Sequence, residues 1–182
     1  MKYVLTGGPN SGKTSVINGL REKKFDVIDE TAREAIRALP CKPQNEREFI
    51  ELEKTIFTMQ LTEEAKIDSK PGIKFLDRGL PDIIAYCLLN AINVPKDFAN
   101  RDLFANRYSG IFILERMPFL QDGGRIERDD FEAQRAHERI IEAYTGCGYS
   151  LVSVPIFQIG RVGIERRVEF ICNYVQNDRK RS

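Results

Sequence analysis

A glycine-rich segment close to the start of the chain limits what the chain can fold into. Residues 7–14 read GGPNSGKT and match the pattern G-x-x-x-x-G-K-[ST]. The apolar residues 3–5 before the segment predict a buried parallel strand, and apolar residues at 16, 17 and 20 predict a helix after it. Glycines between a strand and a helix let the backbone turn its N–H groups toward a polyphosphate, where the helix N-terminus adds positive charge. The segment therefore predicts a phosphate-binding loop.

The motif also predicts a role for its polar side chains. We expect Lys13 to pair with the outer phosphates of a nucleotide and the hydroxyl of Thr14 to bind a magnesium ion. The residues expected to hold the nucleotide are Gly7, Gly8, Pro9, Asn10, Ser11, Gly12, Lys13, Thr14 and Ser15. The alternative is a glycine-rich turn followed by a solvated lysine, which the flanking strand and helix patterns disfavour.

The composition fits one soluble domain of enzyme size. Of the 182 residues 42% are hydrophobic and 30% charged, which suits a full core and excludes a disordered chain. The net charge of +1 gives no reason to expect nucleic acid or an anionic membrane as a partner. The four cysteines are scattered along the sequence, so neither a zinc site nor a redox motif is predicted. The single histidine, His137, is expected to be solvated. No apolar run approaches the roughly 20 residues that span a bilayer, and we expect a cytoplasmic protein.

Short apolar strands and helices are predicted to alternate along the chain. The predicted strands lie at residues 3–5, 25–29, 73–77, 110–115 and 149–154, and the predicted helices after the first at 31–39, 45–70, 81–89, 129–144 and 162–175. Residues 93–107 give no clear element. The alternation predicts an α/β sandwich around a parallel sheet. We expect one domain over residues 1–177 and a frayed polar tail at 178–182.

Polar residues follow the predicted strands at the edge where parallel sheets bind ligands. Asp77 would orient a magnesium ion through its water shell, and the alternative is an ordinary turn aspartate. Glu30 and Asp29 follow the second strand, where a carboxylate could accept the proton of a substrate hydroxyl. Helix capping is the alternative, and for Asp29 the two readings are equally good. Arg33, one turn into the next helix, is expected to project toward the same space.

The polar residues 116–128 predict a mobile loop that acts as a lid. Within this segment, Arg116, Arg125 and Arg128 flank the two adjacent glycines at 123 and 124. An arginine suits the spread charge of a transferring phosphoryl group because its planar fork bonds two oxygens at once. A closing loop would deliver that arginine and exclude water. The alternative is a surface loop whose arginines pair with the neighbouring acidic residues.

Taken together, four segments resemble a known protein family. They read TGGPNSGKTS, VIDETAREAI, LDRGLPDIIAYC and FEAQRAHERIIEAYTGCGYSLVSVP. They are similar to the small P-loop predicted ATPases of the AAA-type superfamily that include the ribosylnicotinamide kinase domain, over residues 3 to about 174. The resemblance implies a three-layer P-loop kinase fold with a five-stranded parallel sheet in the order 2-3-1-4-5, ATP with magnesium, and a flexible lid.

The same resemblance implies two roles on the acceptor side. In the similar nucleoside and nucleotide kinases, the acid after the second strand is the base, which here corresponds to Glu30. The arginine of the acid–arginine pair after their third strand holds the acceptor, which here corresponds to Arg78.

Two functions from different classes fit the sequence. The first is an ATP- and magnesium-dependent phosphotransferase acting on a small metabolite of nucleoside, nucleotide or other type. The second is a nucleotide-binding NTPase or switch, using ATP or GTP, that acts through a protein partner. The N-K-x-D guanine reader of GTPase folds is absent from the sequence, which favours ATP. The expected partners of the first function are a nucleoside triphosphate and a small-molecule acceptor.

Overall fold

The computed structural model describes residues 1–117 and 130–180, in which five strands form one parallel sheet. The strands are β1 (Lys2–Thr6), β2 (Asp26–Ile28), β3 (Lys74–Asp77), β4 (Gly110–Leu114) and β5 (Leu151–Val154). Their order across the sheet is β2-β3-β1-β4-β5. The predicted fold class and strand order are therefore confirmed.

Six α-helices connect or follow these strands in the described residues. They are α1 (Lys13–Glu22), α2 (Thr31–Ala38), α3 (Glu46–Asp68), α4 (Leu80–Leu89), α5 (Asp130–Gly146) and α6 (Arg161–Arg179). Two short 3-10 helices, Lys96–Phe98 and Arg101–Leu103, occupy the stretch that gave no clear prediction. No helix in residues 1–117 and 130–180 has both the length and the apolar character needed to cross a membrane.

The last helix runs further than predicted. It continues to Arg179 and so includes part of the tail that was expected to fray. The Tyr3 hydroxyl donates a hydrogen bond of 2.6 Å to the Asp178 carboxylate, which ties the end of α6 to β1. Ring contacts between Tyr174 and Phe112 of β4 add to this attachment. The polar residues at the end of the helix are therefore held by long-range contacts.

Helices cover both faces of the sheet, so the strands are buried on both sides. Tyr3 and Leu5 of β1 pack with residues of α1 and α6, whereas Val4 packs with residues of α4 and α5. All three side chains are 0% exposed. This double burial explains why the strands read as continuous apolar runs in the sequence. Each fully buried side chain of this size stabilises the fold by about 1.5–3 kcal/mol.

The strand register brings the candidate site residues to one edge. Leu5 of β1 lies opposite Asp77 of β3 and Phe112 of β4. Because the strands are parallel, their carboxyl ends meet at the same edge. The loop after β1 and the starts of α2 and α4 therefore lie side by side.

A buried ionic network fixes α3 against the sheet. The Glu64 carboxylate, whose side chain is 0% exposed, accepts hydrogen bonds from Lys2 Nζ at 3.2 Å, Arg107 Nε at 2.8 Å and the Tyr108 hydroxyl at 2.9 Å. Gln60 Nε2 donates a fourth bond at 3.0 Å. These bonds and the two nearby cations offset the cost of burying the carboxylate. The network therefore sets the position of α3 beside the site.

Candidate active site

The loop after β1 has the backbone geometry that its glycines predict. Gly7, Asn10 and Gly12 all have positive φ, at 142°, 61° and 77°. A Cβ atom at Gly7 would lie 2.8 Å from the Leu114 carbonyl oxygen, which is closer than such atoms approach. Gly12 is the N-cap of α1, so the loop runs directly into the helix N-terminus. This arrangement presents backbone N–H groups and the helix dipole to the same small volume.

The lysine of the motif lies across this loop. Lys13 is 9% exposed, and its Nζ donates hydrogen bonds to the carbonyl oxygens of Gly7 at 2.5 Å and Gly8 at 3.1 Å. The Ser11 hydroxyl oxygen accepts a third bond at 3.2 Å. The alternative of a solvated lysine is therefore corrected, because the ammonium group is enclosed by the loop.

The charge around Lys13 is mixed. Burial and the Arg78 guanidinium lower the pKa of Lys13 to about 8, while the carboxylates of Asp77, Glu30 and Asp82 oppose that change. Two cations thus share the edge of the sheet with three acidic side chains. Such a cluster of shifted groups is typical of functional sites.

Asp77 ends β3 beside the loop and is 5% exposed. Its Oδ1 atom is buried and has no hydrogen-bond partner in the described part of the chain. Burial raises the pKa of Asp77 to about 6, although Lys13 and Arg78 act in the opposite direction. A buried oxygen without a partner requires a ligand group or water to satisfy it. This oxygen does not support the alternative of a turn aspartate bonded to local N–H groups.

Asp77 and Thr14 fit a magnesium ion that is held mainly by phosphates. Thr14 is exposed at the start of α1, where its hydroxyl is accessible. In the described residues no group of three or more histidine, cysteine or acidic side chains could hold a metal alone. Magnesium commonly takes one or two protein oxygens together with substrate phosphates and water. The residue set therefore suits such an ion and not a metal site built from protein alone.

Arg78 connects the other acidic residues of the site. Its Nε lies 2.6 Å from Glu30 Oε1 and its NH1 lies 3.1 Å from Asp82 Oδ1. The guanidinium also stands over the Tyr86 ring, 5.4 Å from the centroid. The Arg78 backbone has a positive φ of 77°, which is uncommon for a residue with a side chain. This turn directs the Arg78 side chain toward Glu30 and Asp82.

Asp82 holds Arg78 in place and was not predicted. The two Asp82 oxygens accept hydrogen bonds from Thr6 Oγ1 at 2.8 Å, the Tyr144 hydroxyl at 2.6 Å and the Gly79 N–H at 3.0 Å. With Arg78 the carboxylate has four donors, so it is fully bonded although buried. Its position three residues after Gly79, at the start of α4, is a capping signal that the sequence does carry.

Glu30 lies at the N-cap of α2 and faces Arg78. Its side chain is 16% exposed and makes a second ion pair of 3.1 Å with Arg33. Burial alone would raise the pKa of Glu30, but the Arg78 and Arg33 guanidinium groups outweigh it and hold that pKa below its usual range. Glu30 is therefore ionised at neutral pH. Arg33, which is half exposed, lies at the rim of the cluster.

Asp29 lies outside this cluster. Its side chain is 78% exposed and forms a 2.5 Å ion pair with Arg21 of α1. This placement favours Glu30 over Asp29 as the acid on the acceptor side. Of the two acids that follow β2, Glu30 is the one that contacts Arg78.

Arg116 is the one predicted lid arginine within the described residues. It is held by the Pro9 carbonyl at 3.3 Å, Gln134 Oε1 at 2.9 Å and Asp130 Oδ1 at 2.5 Å. The pair with Asp130 agrees with the alternative in which these arginines bond to neighbouring acids. Arg125, Arg128 and the rest of the predicted lid lie outside the described residues.

An open cavity of about 470 Å³ adjoins the loop. It is lined by Arg116, Met117, His137 and Ile156, among others. The Met117 N–H donates a 3.0 Å hydrogen bond to the Asn10 carbonyl, so the cavity and the loop share a wall. The cavity is therefore placed to take a group attached to phosphates in the loop.

The expectation of a solvated His137 is corrected. This residue of α5 is half-buried, and its Nδ1 accepts a 3.1 Å hydrogen bond from the Gly8 N–H. Burial and the nearby cations of Arg116 and Lys13 lower the pKa of His137. The ring is therefore neutral at pH 7 and supports the loop from the α5 side.

Arg167 of α6 supports the same loop from the other face of the sheet. It is 2% exposed, and its guanidinium donates to the carbonyl oxygens of Ser11 at 2.5 Å, Glu115 at 2.8 Å and Pro155 at 2.9 Å. Nothing in the local sequence distinguishes Arg167 from the exposed Arg166 beside it.

Glu53 of α3 was also not predicted as a site residue. It is 5% exposed and forms neither a hydrogen bond nor an ion pair within the described residues. Burial raises the pKa of Glu53 to about 8, with Arg78 acting against this change and Asp82 adding to it. Glu53 is therefore mainly protonated at neutral pH, and it lies close enough to Arg78 and Asp82 for their charges to act on it.

Comparison with protein families gives a match over most of the chain. A family model described as "AAA domain" matches residues 2–167. Among curated protein sequences, none matches significantly.

Several solved structures share the fold. Deoxyadenosine kinase from M. mycoides, with the products dCMP and a flexible dCDP bound, is 17% identical, with 97% of this chain and 99% of that chain covered and a TM-score of 0.55. NadR protein in complex with NR is 18% identical and has a TM-score of 0.67. The match covers 95% of this chain and 51% of the NadR chain. Thymidylate kinase from Ehrlichia chaffeensis is 14% identical and has a TM-score of 0.63. The match covers 96% of this chain and 98% of the thymidylate kinase chain. The chain thus spans about half the length of NadR and nearly all of the two other kinases.

Proposed function

The chain belongs to the AAA domain family, and from that premise we propose that it is a kinase that transfers the γ-phosphoryl group of ATP to a small acceptor of nucleoside or nucleotide type. One observation carries the proposal. The Glu30–Arg78 pair, with its 2.6 Å contact, lies at the same sheet edge as Lys13 of the phosphate-binding loop. A protein that only binds or hydrolyses nucleotide does not require such a pair on the acceptor side.

The loop and the adjoining cavity support binding of the nucleotide. The loop N–H groups, the α1 N-terminus and Lys13 together suit the phosphates of ATP. The cavity of about 470 Å³ beside Arg116 and Ile156 would take the base and ribose. Magnesium, when bound through Thr14 and Asp77, supplies neutralisation of phosphate charge. The buried Asp77 oxygen without a partner supports that assignment.

Glu30 and Arg78 would prepare the acceptor. The ionised Glu30 carboxylate accepts a hydrogen bond from the acceptor hydroxyl and aims its oxygen at the γ-phosphorus. That oxygen forms the new bond while the bond from the γ-phosphorus to the β,γ-bridging oxygen breaks, and ADP leaves with the bridging oxygen. The hydroxyl proton passes to Glu30. Since the pKa of Glu30 is lowered, this transfer comes late, as a loose phosphoryl-transfer transition state allows.

The walls of the acceptor side support a substrate of nucleoside type. Tyr86 presents its ring beneath the Arg78 guanidinium, and the uncharged Glu53 offers both a donor and an acceptor. These groups suit a flat, polar-edged moiety attached to a sugar hydroxyl. The similar deoxyadenosine kinase structure contains dCMP and the similar NadR structure contains NR, which agrees with this substrate class.

A coupled assay tests the proposal. The protein is incubated with magnesium and either ATP or GTP, alone or with a nucleoside acceptor (deoxyadenosine, deoxycytidine, thymidine or nicotinamide riboside) or a nucleotide acceptor (dCMP or dTMP). We expect one of these acceptors to raise the rate of ADP formation, with one phosphorylated product per ADP and with no turnover in Lys13→Ala. A slow hydrolysis that none of the acceptors stimulates would overturn the kinase assignment and favour the NTPase or switch function.

A further inference from the structure

We infer that Arg167 is a positioning residue of the nucleotide site, which fixes the peptide unit between Ser11 and Gly12 so that the Gly12 N–H faces the phosphates. The inference rests on the proposed function, since it concerns the loop that would hold ATP. It adds a residue that the loop motif does not contain and that lies on the last helix of the chain.

The contacts of Arg167 join three segments that border the nucleotide site. One guanidinium spans the loop at Ser11, the end of β4 at Glu115 and the end of β5 at Pro155, with bonds of 2.5, 2.8 and 2.9 Å. All three acceptors are backbone carbonyl oxygens. A side chain that bonds only to main chain at three separate places fixes the backbone geometry of all three.

The bond to Ser11 determines the direction of the next N–H group. In a trans peptide the C=O and the N–H point in opposite directions, and the described residues contain no cis peptide bond. The Ser11 carbonyl oxygen accepts a hydrogen bond from Arg167, so the Gly12 N–H on the opposite side of the same peptide unit points away from Arg167. That N–H is one of the donors expected to contact a bound phosphate.

Glycine makes this peptide unit easy to reverse without such a bond. Gly12 has φ at +77°, and glycine populates negative φ about as readily as positive φ. Reversing the unit changes only Ser11 ψ and Gly12 φ, and it would turn a carbonyl oxygen toward the phosphates. Gly12 permits the loop conformation but does not by itself fix the orientation of this peptide unit. The hydrogen bond from Arg167 to the Ser11 carbonyl fixes that orientation.

The identity of the residue matters as well as its position. Arg167 has no carboxylate partner at ion-pair distance in the described part of the chain, so its charge is not cancelled locally. Burial lowers the pKa of Arg167, but a guanidinium stays protonated in proteins. Its planar guanidinium spreads its donors over three nitrogen atoms, so it reaches acceptors in three separate segments that lie further apart than the compact ammonium group of lysine spans.

Matched variants separate this role from a general structural one. Arg167→Met removes the donors and keeps the length of the side chain, Arg167→Lys keeps the charge, and Arg166→Met is the control at the exposed neighbour. Calorimetric titration with ATP and magnesium gives the Kd, and thermal unfolding gives the Tm. We expect the Kd to rise about tenfold or more in Arg167→Met, to rise less in Arg167→Lys, and to stay within twofold in Arg166→Met.

A second measurement reads the peptide unit directly. The Gly12 amide is assigned in ¹⁵N–¹H spectra of the parent and the three variants without nucleotide. We expect the Gly12 amide signal to move or broaden in both Arg167 variants and to stay in place in Arg166→Met. If Arg167→Met does not fold, Arg167→Lys carries both tests.

The two measurements distinguish the possible failures. Parent-like ATP affinity together with a parent-like Gly12 signal in a folded Arg167 variant would overturn the inference. A lower Tm with unchanged ATP affinity would also overturn it, because Arg167 would then only support the fold. If the parent itself binds no ATP, the proposed function fails. The Gly12 signal alone then decides whether Arg167 fixes the orientation of the peptide unit between Ser11 and Gly12.

Discussion

Arg78 Nε and Glu30 Oε1 lie 2.6 Å apart and join the end of β3 to the start of α2, across 48 residues of sequence. The pair is only partly exposed, at 14% and 16% for the two side chains. It holds the Glu30 carboxylate ionised and in a fixed direction. An acceptor hydroxyl that binds beside it meets a carboxylate that is already oriented.

Glu30→Gln is expected to lower the turnover number by roughly a hundredfold or more, the usual contribution of general acid–base help. The amide keeps the shape but does not take the proton. The affinity for ATP should hardly change, since Glu30 lies on the acceptor side. Steady-state rates with the acceptor that the coupled assay selects give the turnover number. Asp29→Asn is the matched control, because Asp29 pairs with Arg21 outside the site. Joint loss of ATP binding and turnover in Glu30→Gln would indicate a capping role instead.

Asp77→Asn is expected to weaken ATP binding more when magnesium is present than when it is absent. The loss of affinity should be roughly tenfold larger with the metal, which is the usual effect of removing a residue that orients a bound metal through its water shell. The amide fills the same space but lacks the charge. Calorimetric titration of ATP with and without magnesium measures both affinities. The exposed Asp26, changed to Asn, is the control. An equal loss in both conditions would make Asp77 a structural turn residue.

Glu53→Gln tests the buried carboxylic acid through pH. The pKa of Glu53 rises from 4.5 to about 8 on folding, so the folded state holds the proton more tightly than the unfolded state. The parent therefore loses stability relative to Glu53→Gln as the pH rises from about 4.5 to about 8, by an amount on the order of a few kcal/mol. Urea unfolding at pH 5 and pH 8.5 measures the difference in free energy.

The control for Glu53 lies on the same helix. Glu51 is 64% exposed and pairs with Lys54, so Glu51→Gln should differ from the parent by a similar amount at both pH values. A stability difference for Glu53→Gln that is the same at pH 5 and pH 8.5 would show that Glu53 titrates normally.

Gly8→Ala is expected to destabilise the fold by about 1–3 kcal/mol, the usual range for overpacking. A Cβ there would lie 2.8 Å from the Cβ of His137 and 3.1 Å from the carbonyl oxygen of Ala133, both on α5. Chemical denaturation measures the loss. Gly146→Ala is the control, because a Cβ at Gly146 meets nothing within 4 Å. Equal stability of the two variants would contradict the close approach of α5 to the loop.

The fold was predictable because its signals are local. Each buried strand is a short apolar run, and each helix has its own periodicity and breaker, so most boundaries agree within a few residues. The predicted strand 25–29, for example, is Asp26–Ile28 in the structure. The end of α6 was not predictable, because the contact of Asp178 with Tyr3 joins residues 175 positions apart.

The site was predictable where it follows from strand ends. Lys13, Asp77 and Glu30 all stand at the carboxyl edge that a parallel sheet creates. His137 and Arg167 were missed, because their contacts with the loop span 129 and 156 residues and nothing nearby in sequence marks them. Glu53 did carry a signal. It precedes the buried Gln60 and Glu64 by seven and eleven residues, which places all three on one side of α3.

The hydrogen bond from the Gly8 N–H to His137 has a practical consequence. The chain contains one histidine, so its imidazole gives one set of side-chain signals. The Nδ1 atom of that ring contacts the loop directly at 3.1 Å. The protein therefore carries its own spectroscopic reporter, and in ¹⁵N-enriched protein the nitrogen shifts of this single ring follow ligand binding at the loop without an attached probe.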